Sequence, residues 1–148
     1  MTGQLVPRQG DPTSGVAIFH GAHAIRCFSR RQATVALSSG EAELYAINHG
    51  AREAIGIQQL ALELGIPLEV KIYTDASAVV GIVHRVGSGR LKHVSVQELW
   101  LQQHVGEGRI QVKKIGRERN LADYLTKHWD ARNGMMIRQL CDRSGPEP

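Results

Sequence analysis

The sequence predicts an α/β fold, a mixed sheet flanked by helices, on three observations. Short runs rich in β-branched residues alternate along the chain with longer runs of helical period. Only helix-like runs separate the last two strand-like runs, so a crossover must join them. The 148 residues, 42% hydrophobic and 22% charged, suffice for one domain of about 100 to 200 residues with its own core.

The first element is a hairpin over Gly15 to Ser29. Val16, Ile18 and His20 alternate with Ala17 and Phe19, the Gly21-Ala22 step supplies a turn, and Ala24 to Phe28 returns. The longest periodic segment follows. Ser38 and Glu41 have capping-box spacing, and good helix formers continue to Gly65, with Pro67 beyond it, which predicts a helix over Gly40 to Leu64. Glu69 to Thr74 (EVKIYT) reads as a strand ended by Asp75, and Ser77 opens a short helix over Ala78 to His84. Val86 to Arg90 is a glycine-rich basic loop. A second long helix is expected from His93 to Val105, closed by Gly106-Glu107-Gly108, with Trp100 packing inward. Arg109 to Ile115 alternates as a half-buried strand, and Asn120 caps a last helix from Leu121 to Trp129. From Ser144 the tail frays.

Composition removes several classes of function. Cys27 and Cys141 lie far apart with no C-x-x-C or Cys/His spacing, so neither a disulfide framework nor a structural zinc site is expected. No run approaches the roughly 18 apolar residues of a membrane span, and Met1 to Arg8 has no apolar run of signal-peptide type. The expectation is an intracellular protein, cytoplasmic or nuclear, with no membrane partner. The formal charge of +4 is uneven. Gln32 to Val70 holds one base and five acids, whereas Lys71 to Lys127 holds ten bases and five acids. That basic half suits a phosphate-backbone partner, and equally a solvated surface.

Three carboxylates stand where chemistry is done. Glu41 and Glu43 are about 200° apart around a helix and cannot share a face. Ile47, Gly50 and Ala54 follow Glu43 at one-turn spacings and form the apolar packing face, so Glu43 heads a buried stripe while Glu41 is left for the cap. A carboxylate on a packing face needs a counter-charge or a metal; at the rim, the helix macrodipole alone would favour it. Asp75 ends a strand, the edge where open α/β sheets bind ligands, and is also an ordinary Asx-turn residue. Asp123 lies in the first turn of the last helix, where dipole compensation is an ordinary role. Converging carboxylates are commonly held by a hard divalent cation, and Mg²⁺ beside a basic surface points to phosphodiester hydrolysis.

The same residues carry a resemblance. Thr34 to Ala46 (TVALSSGEAELYA) resembles the "TVALSS-x-EAE-x-x-A" signature of the ribonuclease H domain of copia-type (Ty1/copia) retrotransposon Pol polyproteins. Ile72-Tyr73-Thr74-Asp75 with Ser77-Ala78 resembles the family's "I-Y-x-D-N-x-S-A" block, and Lys92-His93-Val94 with Val96 its "T-K-H-I-D-V-R" block. Leu121-Ala122-Asp123 with Leu125-Thr126-Lys127 resembles "L-A-D-x-L-T-K", and Thr13-Ser14-Gly15 resembles "S-T-S-G". The likeness covers residues 13 to 129, with 1 to 12 as a poorly matched segment and 130 to 148 as a C-terminal extension. It implies a ribonuclease H-like mixed sheet and cleavage of the RNA strand of an RNA-DNA hybrid. It also implies catalytic metal ligands at Glu43, Asp75 and Asp123, a two-metal Mg²⁺ site in which Mn²⁺ can substitute, and an upstream reverse transcriptase portion as partner. Arg85, Arg90, Lys92 and His93, around the glycine loop, are candidates for contacts to the hybrid backbone.

The chain departs from the family at its beginning. The family's first catalytic Asp lies on a first strand, in a "Y-x-D-A-D-W" block just before "S-T-S-G". Here that stretch is MTGQLVPRQGDP, whose single acid, Asp11, sits beside Pro12 in no strand-like context. The Asn that follows the Asp of the family's "I-Y-x-D-N-x-S-A" block is Ala76 here. The first strand is therefore missing or replaced: Leu5 and Val6 fill in, or the strand belongs to upstream polyprotein, or the element has decayed. Leu5 to Arg8 also resembles a protease-cleavage linker. Three readings stay open: a ribonuclease H, a non-catalytic remnant that binds nucleic acid, and another nuclease of the same fold, integrase-like or resolvase-like. His84, His93, His104 and His128 invite a general-base role, for which His93 is best placed, although a structural or phosphate-contacting role suits it better.

Overall fold

The computed structural model describes residues 13–21, 23–32, 39–85, 96–126 and 134. Strands β1 (Thr13–His20) and β2 (His23–Arg31) form the hairpin, followed by helix α1 (Ser39–Glu63), strand β3 (Val70–Thr74), helix α2 (Ser77–Val83), helix α3 (Val96–Gly106) and strand β4 (Ile110–Lys114). Two 3₁₀ turns close the order, Arg117–Arg119 and Leu121–Leu125. It is an α/β domain of small antiparallel and parallel sheets flanked by three helices.

The helix ends have a local cause. Gly65 takes φ +79° and Gly108 takes φ +72°, the left-handed conformation that costs glycine least. After α1 the N–H of Ile66 returns to Ala61 O at 2.8 Å and that of Gly65 to Leu62 O at 2.9 Å. After α3 the N–H of Arg109 returns to His104 O and that of Gly108 to Val105 O, both at 3.0 Å. Both are Schellman closures, which satisfy carbonyls that the helix leaves over.

Of the stripe that the sequence predicts on α1, Ile47 is buried while Gly50 and Ala54 are half-buried; the fully buried face is turned toward Leu44 and Ala51. Leu44, Ile47 and Ala51 join Val70, Val79, Val83, Leu101, Ile110 and Val112 in one core, with Ala54, Ile55 and Trp100 packed against it. β3 and β4 pair in parallel, Val70 opposite Ile110 and Ile72 opposite Val112, and α2 and α3 make the crossover between them. His84 and His104 each place Nδ1 at the carbonyl four residues earlier, at 2.8 and 3.0 Å, which orients both rings on their own helices.

Two expectations need correction. The predicted single mixed sheet is, among the described residues, two sheets of two strands, β1 with β2 and β3 with β4. α1 packs on both β1 and β3, and the 3₁₀ helix at Leu121–Leu125 packs on β1, so helices and not a hydrogen-bonded ladder join the pairs. The predicted last α-helix is instead a 3₁₀ helix at Leu121–Leu125, and Asn120 makes no side-chain cap to it. The segment lies against Gly15. A Cβ there would collide with the carbonyl oxygen of Ala122 and stand 3.0 Å from Leu125 Cβ and Thr126 Cγ2, so this segment is pressed onto the bare backbone of β1. Val16 points the other way and packs on Gly50 of α1, so β1 is enclosed on both faces. Residues 1 to 12, the turn at Ala22, Ser38 of the capping box, the glycine loop, Trp129 and the C-terminal tail lie outside the described residues.

Candidate functional site

The parallel pairing of β3 and β4 brings the carboxyl ends of both strands to one edge, and the candidate site is built there. The N–H of Ile115 bonds to Thr74 O at 2.8 Å, which keeps the chain leaving β4 beside the end of β3. Thr74, buried, accepts the N–H of Ala76 on its hydroxyl at 3.2 Å. That bond turns the backbone at Asp75 and starts α2 with the Asp75 carboxylate at the turn.

Glu43 approaches from α1. It is half-buried at the flank of the buried face of α1, and its Oε2 is buried without a hydrogen-bond partner. Burial, and then the charge of Asp75, push the Glu43 carboxyl above its ordinary value of 4.5; the nearby Arg117 guanidinium pulls it back in part. Two carboxylates thus press on one another at the sheet edge, with a guanidinium as partial counter-charge.

Asp75 is held by another group. Asn120 Nδ2 donates to Asp75 Oδ1 at 2.8 Å. Asp123 lies three residues further along, half-buried in the 3₁₀ helix, its N–H bonded to Asn120 O at 3.1 Å and its own carbonyl accepting the Thr126 hydroxyl at 2.9 Å. It does not complete a metal-holding group: among the described residues no three His, Cys, Asp or Glu side chains stand together as a set that could hold a metal ion. The charge of Asp75 is thus felt at Glu43, and Asp123 lies on the flanking 3₁₀ segment. Of the candidate backbone contacts, Arg85 is exposed just past the end of α2, its N–H bonded to Ile82 O at 3.2 Å. Arg90, Lys92 and His93 lie outside the described residues.

Arg117 and Asn120 are the site residues that sequence reasoning missed, the second having been read as a helix cap. A signal was present. In a parallel pair, residues just after the second strand share an edge with those just after the first, so Gly116 to Asn120 belongs beside Asp75.

Comparison with known proteins places the chain in context. It is 30% identical over 129 residues to the retrovirus-related Pol polyprotein from transposon TNT 1-94 of Nicotiana tabacum, a match covering 86% of this chain and 10% of that protein. It is 32% identical over 118 residues to the retrovirus-related Pol polyproteins from transposons RE2 and RE1 of Arabidopsis thaliana, covering 78% of this chain and 8% of each. The chain spans a tenth or less of the length of these curated relatives. It is a distant homologue of retrotransposon Pol polyprotein sequences, as a retrotransposon-derived protein is. No protein-family model matches it, and no solved structure matches it significantly. Among the described residues, no helix is long and apolar enough to cross a membrane.

Proposed function

Starting from this distant homology, we propose that residues 13–129 form a ribonuclease H-like domain that handles RNA-DNA hybrid and cleaves its RNA strand, beside a reverse transcriptase portion of a Pol polyprotein. Residues 1–12 and 130–148 flank that domain. The observation that carries the reading is the meeting of Glu43 and Asp75 at the carboxyl edge of the parallel strands, with Glu43 Oε2 buried and unpartnered.

An orphaned carboxylate oxygen pressed by a second carboxylate suits a hard divalent cation, which would give that oxygen a partner and offset the repulsion. Glu43 and Asp75 would hold it, with Asp123 as the expected further ligand. Bound there, Mg²⁺, or Mn²⁺ in its place, supplies an activated water and stabilises the leaving 3′ oxygen. The residues of the chain do the rest. Arg117 would add positive charge beside the scissile phosphate, Asn120 holds the Asp75 carboxylate, and the exposed Arg85 would contact the backbone.

A second reading has its own support. Asn120 already satisfies one oxygen of Asp75 and Arg117 already offsets Glu43, so the two acids have partners of a kind within the protein. In that reading the chain is a non-catalytic remnant that binds nucleic acid. Incubation of a labelled hybrid with Mg²⁺ separates the two: cleavage that Asp75→Asn removes supports the nuclease, and binding without cleavage supports the remnant.

A further inference from the structure

The hairpin carries a charged surface that the carboxylate site does not use. From His23 to Arg31, β2 holds Arg26, Arg30 and Arg31 and no acid. Its residues are mostly exposed, and its outer edge pairs with no other strand among the described residues.

The arrangement on one face is specific. Phe28 lies opposite Val16, whose side chain packs on α1, so Phe28 and its same-face neighbours Arg26 and Arg30 project to the α1 side. Both guanidinium groups stand over the Phe28 ring, Arg26 at 5.5 Å and Arg30 at 5.6 Å from its centroid. Arg26 also bonds Glu53 of α1 at 2.9 Å, which fixes the first arginine. Arg30 has no carboxylate partner among the described residues. A ring flanked by two cations restrains two long side chains that would otherwise lose much rotamer freedom on binding; the Arg26 fork is engaged by Glu53, and Arg30 is exposed.

We propose that this face of β2, Arg26, Phe28 and Arg30, is a nucleic-acid contact surface that takes the phosphodiester backbone of a strand lying along the hairpin. The inference rests on the nucleic-acid reading above, and it places a contact on an element remote in sequence from the glycine loop. Two cations held in a row on an extended strand suit a polyanion with regularly repeated charge. Guanidinium forks match phosphate oxygens two at a time. Base identity is not read here, since the groups presented are backbone-seeking.

The test measures binding without chemistry. Fluorescence anisotropy of a labelled RNA-DNA hybrid is followed in EDTA over a range of KCl, with circular dichroism and thermal melting as controls on folding. Arg30→Ala is expected to weaken binding about five- to tenfold near 0.1 M salt and to lower the salt slope by about one ion. Arg30→Lys should restore the slope. Phe28→Leu, which keeps both charges and removes the ring, should weaken binding less than Arg30→Ala. If Arg30→Ala and the Arg26→Ala/Arg30→Ala double variant are folded and bind as wild type, the surface is overturned while the nucleic-acid reading stands. If the wild-type chain itself binds no hybrid, both fall. Equal binding of polyglutamate and hybrid, at equal charge, would overturn the assignment to nucleic acid.

Discussion

Asn120 reaches back 45 residues to hold Asp75, its amide 2.8 Å from the carboxylate oxygen. This bond ties the segment after β4 to the end of β3. A hydrogen bond to a charged acceptor contributes about 1.5–3 kcal/mol, less where water reaches it. Asn120→Ala should therefore lower stability by about 1 kcal/mol, read as a shift of the urea midpoint with unchanged slope. Asn120→Asp should do more harm in EDTA, because it adds a carboxylate to two others, and Mg²⁺ should then recover part of the loss. If Mg²⁺ leaves that variant's midpoint where EDTA put it, the edge does not attract a cation.

The buried carboxyl of Glu43 makes stability depend on pH in a stated direction. Its folded value lies above the ordinary 4.5, so between the two the folded state holds a proton that the unfolded state has lost. Its contribution is complete below 4.5 and declines as pH rises through the folded value. In EDTA, Glu43→Gln should remove this decline and raise the thermal midpoint at pH 7. An unchanged pH profile in the variant would mean that Glu43 is not the group responsible.

Two glycines should respond oppositely to alanine. At Gly15 the methyl meets the Ala122 carbonyl, a backbone atom that cannot swing aside, so Gly15→Ala should cost about 1–3 kcal/mol as an overpacked contact does. At Gly56, exposed within α1, nothing lies within 4 Å of the added methyl, and Gly56→Ala should stabilise by about 0.5–1 kcal/mol. Chemical denaturation of both variants checks the pair.

Hybrid cleavage, where present, should separate two neighbouring glutamates. Glu43→Gln and Asp75→Asn each remove a charge from the sheet edge and should abolish cleavage. Glu41 accepts the Tyr45 hydroxyl at 3.2 Å instead, and Glu41→Gln keeps an acceptor oxygen there, so its activity should stay within about twofold of wild type, less than about 0.4 kcal/mol. A chain extended upstream by a strand bearing an Asp should cleave faster than these 148 residues do. Equal rates would show that the site lacks no such ligand.

What could be read from sequence was what is fixed locally. β-Branched runs marked β3 and β4, and Gly65 and Gly108 ended α1 and α3 because their left-handed backbone is a property of the residue itself. Helical period placed Ile47 inward but centred the buried face on Gly50 and Ala54, whereas Leu44 and Ala51 are the residues that bury fully. Strand pairing was harder, since it depends on which edges meet: the hairpin and the parallel pair were each legible, and their separation into two sheets was not. Asn120 misled because an Asn before a helical run commonly caps it, whereas here a carboxylate from β3 claims its side chain. The contact between Gly15 and Ala122 at the last helix involves residues more than a hundred positions apart, beyond any local pattern.

Having α1 as the common support of two unjoined strand pairs divides the molecule into units of unequal persistence. The buried cluster of Leu44, Ile47, Ala51, Leu101 and Ile110 belongs to the helices and the parallel pair. The hairpin is fastened to the rest by Val16 on Gly50, Arg26 to Glu53, Gln32 to the Ala42 carbonyl, and Gly15 beneath Ala122. Such an attachment opens sub-globally, so amide protons of β1 and β2 should exchange with deuterium well before those of β3 and α3. Asp75, at the end of β3, would then remain in place through excursions that carry the arginine face of β2 away, and a strand bound across that face would slow the exchange of the hairpin alone.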